Sequence, residues 1–121
     1  MQFIDSSTTF PISSAVVHSG RTFEAVVTGI PDGQNTPVPG GAAAEMREAF
    51  RQLDVLLQAA GVDKRAICTA RLYLQDVLAD IPAVNEVWKE YMGTHPVVRR
   101  AYGVTLQAGM RVEAAFTAEI P

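Results

Sequence analysis

Hydrophobic positions recur along the chain in two rhythms, one of two residues and one of three to four. β-branched runs at 14–19 (Ser-Ala-Val-Val-His-Ser) and 22–30 (Thr-Phe-Glu-Ala-Val-Val-Thr-Gly-Ile) flank Gly20-Arg21 and predict a hairpin. The proline- and glycine-rich stretch 31–41 predicts a loop that can rim a site. From 42 to 60 the rhythm lengthens: Met46, Ala49, Phe50, Leu53, Leu56, Leu57 and Ala60 recur at helical steps. They leave Glu45, Arg47, Glu48, Arg51 and Asp54 outward, and Gly61 suits the left-handed residue that ends a helix. Residues 66–74 predict a strand with Cys68, Ala70, Leu72 and Leu74 on one face. A second helix is expected over 81–92, with Asp80 as N-cap, Pro82 in the first turn and an apolar stripe of Val84, Val87, Trp88 and Tyr91. Two last strands, 98–106 and 110–120, meet at Gln107-Ala108-Gly109.

The order is β-β-α-β-α-β-β, an α+β chain whose sheet carries both helices on one face. On the last strand Met110, Val112, Ala114, Phe116, Ala118 and Ile120 form an apolar face; Arg111, Glu113, Ala115, Thr117 and Glu119 form the other. A mixed face of small residues suits a sheet covered by symmetry mates.

With 121 residues, 48% of them hydrophobic and 19% charged, the chain fits a single domain, 1–121, that builds a core without staples. Cys68 is the one cysteine, so no internal disulfide forms, and its apolar surroundings predict a buried, inert thiol. Residues 1–12 lack a basic-then-apolar signal pattern, and no run approaches a membrane span; a cytoplasmic protein is expected. Net charge is −3 with dispersed basic residues, which argues against a nucleic-acid surface. His18 and His95 lie far apart, and no cluster has metal-ligand spacing, so neither metal nor organic cofactor is expected.

Alternation puts Arg99 with Ala101, Gly103 and Thr105 on one face, and Val98, Arg100, Tyr102, Val104 and Leu106 on the other. A guanidinium beside small residues overlooks a shallow floor, and its planar fork suits a bidentate carboxylate; a surface salt bridge is the competing explanation. Glu113 could hold or deprotonate a water. Whether it shares a face with Arg99 depends on the loop between the last strands, and a partner subunit could supply either group. Asn85 interrupts the second helix's small and apolar run, and could fix a strand end or a ligand. Thr28-Gly29 offers a hydroxyl and an approachable backbone.

Several segments together resemble the RidA/YjgF family of enamine/imine deaminases. These are Thr28-Gly29-Ile30-Pro31, the strand 69–76 (Thr-Ala-Arg-Leu-Tyr-Leu-Gln-Asp), and the helix 83–93 (Ala-Val-Asn-Glu-Val-Trp-Lys-Glu-Tyr-Met-Gly). His95-Pro96-Val97-Val98-Arg99, with one residue of altered spacing, and Val112-Glu113-Ala114 complete the set. The resemblance implies a chorismate-mutase-like homotrimer with sites between subunits. It implies Arg99 as carboxylate anchor, Glu113 as the residue placing the hydrolytic water, contacts from Thr28, Gly29 and Ala101, and support from Asn85. The implied reaction is hydrolysis of a small 2-imino acid or its enamine to a 2-keto acid and ammonium. Two positions depart from the family pattern. Ile12 stands where many members have tyrosine, and Arg100 where a small, hydroxylic or cysteine residue is usual. A second cation could suit a dianionic substrate or simply face outward. The other class of function compatible with these residues is a non-catalytic trimeric module binding small carboxylates; a ribonuclease finds little support in the scattered basic residues.

Overall fold

In the computed structural model, which describes residues 1–121, six strands form one sheet with two helices packed on a single face. The strands are β1 (Gln2–Ser6), β2 (Ser13–His18), β3 (Thr22–Thr28), β4 (Ile67–Leu74), β5 (Val98–Gly103) and β6 (Val112–Glu119). The helices are α1 (Gly41–Ala59) and α2 (Val77–Met92), and a short 3-10 turn at Lys64–Ala66 leads into β4. Across the sheet the order is β1-β2-β3-β6-β4-β5; every pair is antiparallel except β4 with β5, which α2 connects.

The period-two pattern decides the buried face. Phe23, Ala25 and Val27 of β3, Ala70, Leu72 and Leu74 of β4, and Val112, Ala114, Phe116 and Ala118 of β6 all sit in one core with the α1 stripe Met46, Ala49, Phe50, Leu53 and Leu57. Each large side chain removed from water contributes about 1.5–3 kcal/mol, which makes this layer the main source of stability. The β2–β3 hairpin and the helix-ending Gly61, at φ +82°, stand as expected.

Five expectations are corrected. An extra strand, β1, adds to the β2 edge. The last two strands are not a hairpin: β6 runs between β3 and β4, and β5 pairs only with β4. Alternation fixes which face a side chain takes and is silent on which strand lies next door. The eight-residue β6, apolar on every second position, takes the central place with two hydrogen-bonded neighbours, while short β5 with its arginines takes an edge.

Helix α2 begins four residues earlier than expected, because Asp76 rather than Asp80 is the N-cap, its side chain accepting from the Ala79 N–H. Pro82 therefore lies inside the helix and forgoes a bond to the Leu78 carbonyl. Cys68 is exposed, not buried: pairing shifts between Ile67 and Thr69, and the extra residue of this bulge is turned outward while Ile67 takes the core place. Glu45 is not outward but 3% exposed, the only buried charged residue, with its Oε1 accepting the Arg111 backbone N–H at 2.8 Å.

Candidate functional site

Arg99 is built into a grip. It pairs in register with Ala70 on the helix-covered face, so its side chain runs back toward α2. Nη2 donates to Asn85 Oδ1 at 2.8 Å, and the guanidinium carbon lies 4.9 Å from the centre of the Trp88 ring. That indole stacks on Phe116 and tilts against Phe50, so the cation rests on a rigid aromatic pile. A stacking contact of this kind contributes about 0.5–2 kcal/mol and fixes the plane of the fork. No carboxylate pairs with Arg99, although Arg21, Arg47, Arg51, Arg65 and Arg111 each hold one. Burial without an acidic partner lowers its pKa from the ordinary arginine value, and it remains a cation. A half-desolvated guanidinium with one N–H held by Asn85 and others free has the donor geometry to accept a small carboxylate. Ala101, half-buried beside Leu72, continues the floor.

A second cluster forms where β3 ends. Thr28 pairs in register with Glu113, and Glu113 also with Tyr73, whose ring stacks on that of Tyr102 at 5.8 Å. The Ile30 N–H donates to Thr28 Oγ1 at 3.1 Å, which leaves the hydroxyl proton available. Gly29 is glycine because α1 presses on it: a Cβ there would stand 2.8 Å from the Glu45 Cα and 2.5 Å from its side-chain carbons. Gln52, on the same helix, receives the Thr28 N–H on Oε1 at 3.2 Å and donates Nε2 to the Ile30 carbonyl at 2.7 Å.

The two clusters lie on opposite faces. Arg99 and Ala101 share the helix-covered face with Ala70 and Leu72; Glu113 and Thr28 share the open face with Tyr73 and Tyr102. The register question left by the sequence is thereby answered: Arg99 and Glu113 do not meet within one chain. Arg100 also points to the open face, beside Arg71, and is no second cation next to the Arg99 fork. Ile12, 62% exposed just before β2, lies at the far end of the sheet from β5. The open face also holds a concavity of about 330 Å³ lined by Ser13, Val16, Glu24, Arg71, Ala115 and Thr117 among others. No three His, Cys, Asp or Glu side chains converge as a metal site would need.

Trp88 is the site residue that sequence reasoning missed. It reads as one member of a helical stripe, and nothing in a helix eleven positions upstream announces that a strand arginine will lie on it.

The fold is α+β, with a propped arginine, unpaired with any carboxylate, on an edge strand. The profile of the endoribonuclease L-PSP family matches residues 6–120, and the chain belongs to this family, the RidA/YjgF family of its motifs. A goat (Capra hircus) protein named 2-iminobutanoate/2-iminopropanoate deaminase is 34% identical over 104 residues, 85% of this chain and 75% of its own length. The human protein of the same name is 31% identical over the same shares of the two chains. Among solved structures, the YjgF gene product of E. coli superposes with a TM-score of 0.82 at 18% identity, covering 98% of each chain.

Proposed function

We propose that this protein is a deaminase that hydrolyses small reactive 2-imino acids, or their enamine tautomers, to 2-keto acids and ammonium. The observation that carries it is Arg99: a half-buried cation with no acidic partner, held in plane by Asn85 and Trp88. The relatives' deaminase name agrees with that grip.

In this reading the substrate carboxylate takes the free edge of the Arg99 fork, with Ala101 as floor. Glu113 accepts a hydrogen bond from a water and aims its lone pair at the imine carbon; the Thr28 hydroxyl and the Gly29 backbone flank the reacting atoms. Water oxygen bonds to that carbon, the C=N π pair goes to nitrogen, and the proton lost from water, relayed through Glu113, ends on nitrogen. The carbinolamine hydroxyl then gives its proton to nitrogen as the C–N bond breaks, leaving the keto group and ammonia, which takes a solvent proton to become ammonium. An imine is already electrophilic, so positioning and acid–base assistance, the latter worth about 10²–10⁴-fold, can suffice with no cofactor.

Because the two clusters occupy opposite faces, a complete site needs a second copy. Exposed apolar side chains at both edges of the sheet favour head-to-tail assembly: Phe3, Phe10 and Ile12 on the β1–β2 side, and Val98 and Tyr102 on β5. Joining one to the other is a heterologous contact that closes as a ring, here a homotrimer of the chorismate-mutase-like kind. Ile12 would then reach a neighbour's site rather than its own. Cytoplasmic residence and the absence of nucleic-acid or membrane partners complete this proposal.

The test is turnover of 2-iminopropanoate, made in place by an amino-acid oxidase and followed by semicarbazone trapping. Turnover that Arg99→Ala reduces through KM by roughly 10–100-fold, the value of charge-assisted hydrogen bonds, supports it. The second reading, a carboxylate-binding module, is favoured by the separation of Arg99 from Glu113 in one chain. Pyruvate binding without turnover across a panel of imino acids would establish it instead.

A further inference from the structure

Helix α1 turns one face toward the end of β3, and that face carries polar groups where a core stripe would be apolar. Glu45, Glu48 and Gln52 stand at spacings of three, four and seven, on one side of the helix. Gln52 is the centre of the cluster. Its Oε1 accepts the Thr28 N–H at 3.2 Å; its Nε2 donates to the Ile30 carbonyl at 2.7 Å and to Glu48 Oε2 at 2.8 Å. Glu48 is held in turn by both nitrogens of the Arg51 fork, each at 2.8 Å.

The orientation of this amide is determined by its partners. Rotated by half a turn, it would set NH₂ against the Thr28 N–H and oxygen against both a carbonyl and a carboxylate. The Gln52 side chain therefore acts as a missing strand: it pairs with the N–H of residue 28 and the C=O of residue 30, as a neighbouring backbone would. Gly29 lies between these anchors with no room to shift toward the helix, since the Glu45 backbone is already in contact distance. Glu45 meanwhile holds the Arg111 N–H, two residues before Glu113.

We propose that Gln52 is a positioning residue for catalysis, fixing the Thr28–Gly29–Ile30 backbone against Glu113 without touching substrate. The inference rests on the deaminase reading and adds to it a residue in the helix layer. It separates binding from chemistry: Arg99 sits over α2, on the sheet face opposite the Thr28 and Glu113 side chains, and shares no hydrogen bond with Gln52. Loosening the Thr28 turn therefore misplaces the water-handling half of the site and leaves the carboxylate grip intact. Misplacement of about 1 Å at a reacting centre can cost about 10²-fold in rate.

The experiment measures kcat and KM for 2-iminopropanoate in the wild type, Gln52→Met, Gln52→Asn and Arg99→Ala, each with its thermal unfolding midpoint. Methionine keeps the length of the side chain and deletes all three hydrogen bonds; asparagine keeps the amide on a shorter stem and serves if the methionine variant does not fold. The expected result is kcat lowered about 10-fold or more in Gln52→Met with KM within about twofold, an intermediate kcat for Gln52→Asn, and the opposite split for Arg99→Ala. A lowered unfolding midpoint with wild-type kcat in either folded Gln52 variant makes the residue structural only and overturns the proposal. A wild type inactive on every imino acid tried overturns the deaminase reading itself, and this inference with it.

Discussion

Arg99 shows how far one side chain depends on what lies behind it. Its fork, planar by its own delocalisation, rests over the Trp88 ring, and it is oriented because Asn85 Oδ1 takes one of its N–H groups. Lysine cannot reproduce either feature, since its ammonium is a compact, strongly hydrated point charge. Arg99→Lys should keep the net charge yet raise KM for a 2-imino acid about 10-fold; a KM equal to wild type would mean that charge alone suffices. A second test at this scale concerns Glu48, whose carboxyl Arg51 holds below its ordinary value of 4.5. A group depressed in the folded state contributes stability above its unfolded pKa and loses it as the pH falls through the folded one. Arg51→Ala should thus destabilise at neutral pH, by less than about 1 kcal/mol for so exposed an arginine, and the deficit should shrink as the pH falls below the ordinary carboxyl value. Urea unfolding of both proteins at several pH values measures it. Arg99 and Asn85 could be singled out from sequence because each breaks a local pattern. Trp88 and Glu45 could not: one fits its helical stripe, and the other's burial depends on a loop 66 residues away.

At the scale of elements, the strand and helix rhythms carried most of the assignment, and the misses share a cause. Alternation names faces, not neighbours, so β6 could be read as the hairpin partner of β5 when it lies between β3 and β4. A bulge resets the phase, which is why the pattern through Cys68 pointed inward while the side chain faces out. The exposed thiol should react with Ellman's reagent in the native protein without denaturant, and Cys68→Ser should change stability by no more than about 0.5 kcal/mol. A thiol titrated only on unfolding would contradict the bulge. Gly29 gives a sharper test of the α1–β3 contact. Alanine there must displace helix backbone, and overpacking of this kind costs about 1–3 kcal/mol. Gly29→Ala should lower the urea midpoint accordingly and depress kcat with it; a variant as stable as wild type would mean that helix and strand are not so closely packed.

At the scale of the molecule, the Arg99 and Glu113 clusters lie on opposite faces of one chain's sheet, and exposed apolar side chains stand at both of its edges. Sequence named the candidate residues of both clusters, chiefly by resemblance, and could not say that a single copy leaves Arg99 and Glu113 on opposite faces, because that depends on strand order. The proposed ring joins the Arg99 half of one copy to the Glu113 half of the next, and this can be measured directly by complementation. Arg99→Ala and Glu113→Gln, each impaired alone, are co-expressed with different tags, and the mixed oligomers are isolated and assayed on 2-iminopropanoate at a concentration well below the raised KM of Arg99→Ala. In a cyclic trimer each mixed oligomer, of either composition, regains both native groups at one of its interfaces, so the isolated mixed oligomers should show roughly a third of wild-type activity. Mixed oligomers no more active than the better of the two parents would contradict a site shared between copies.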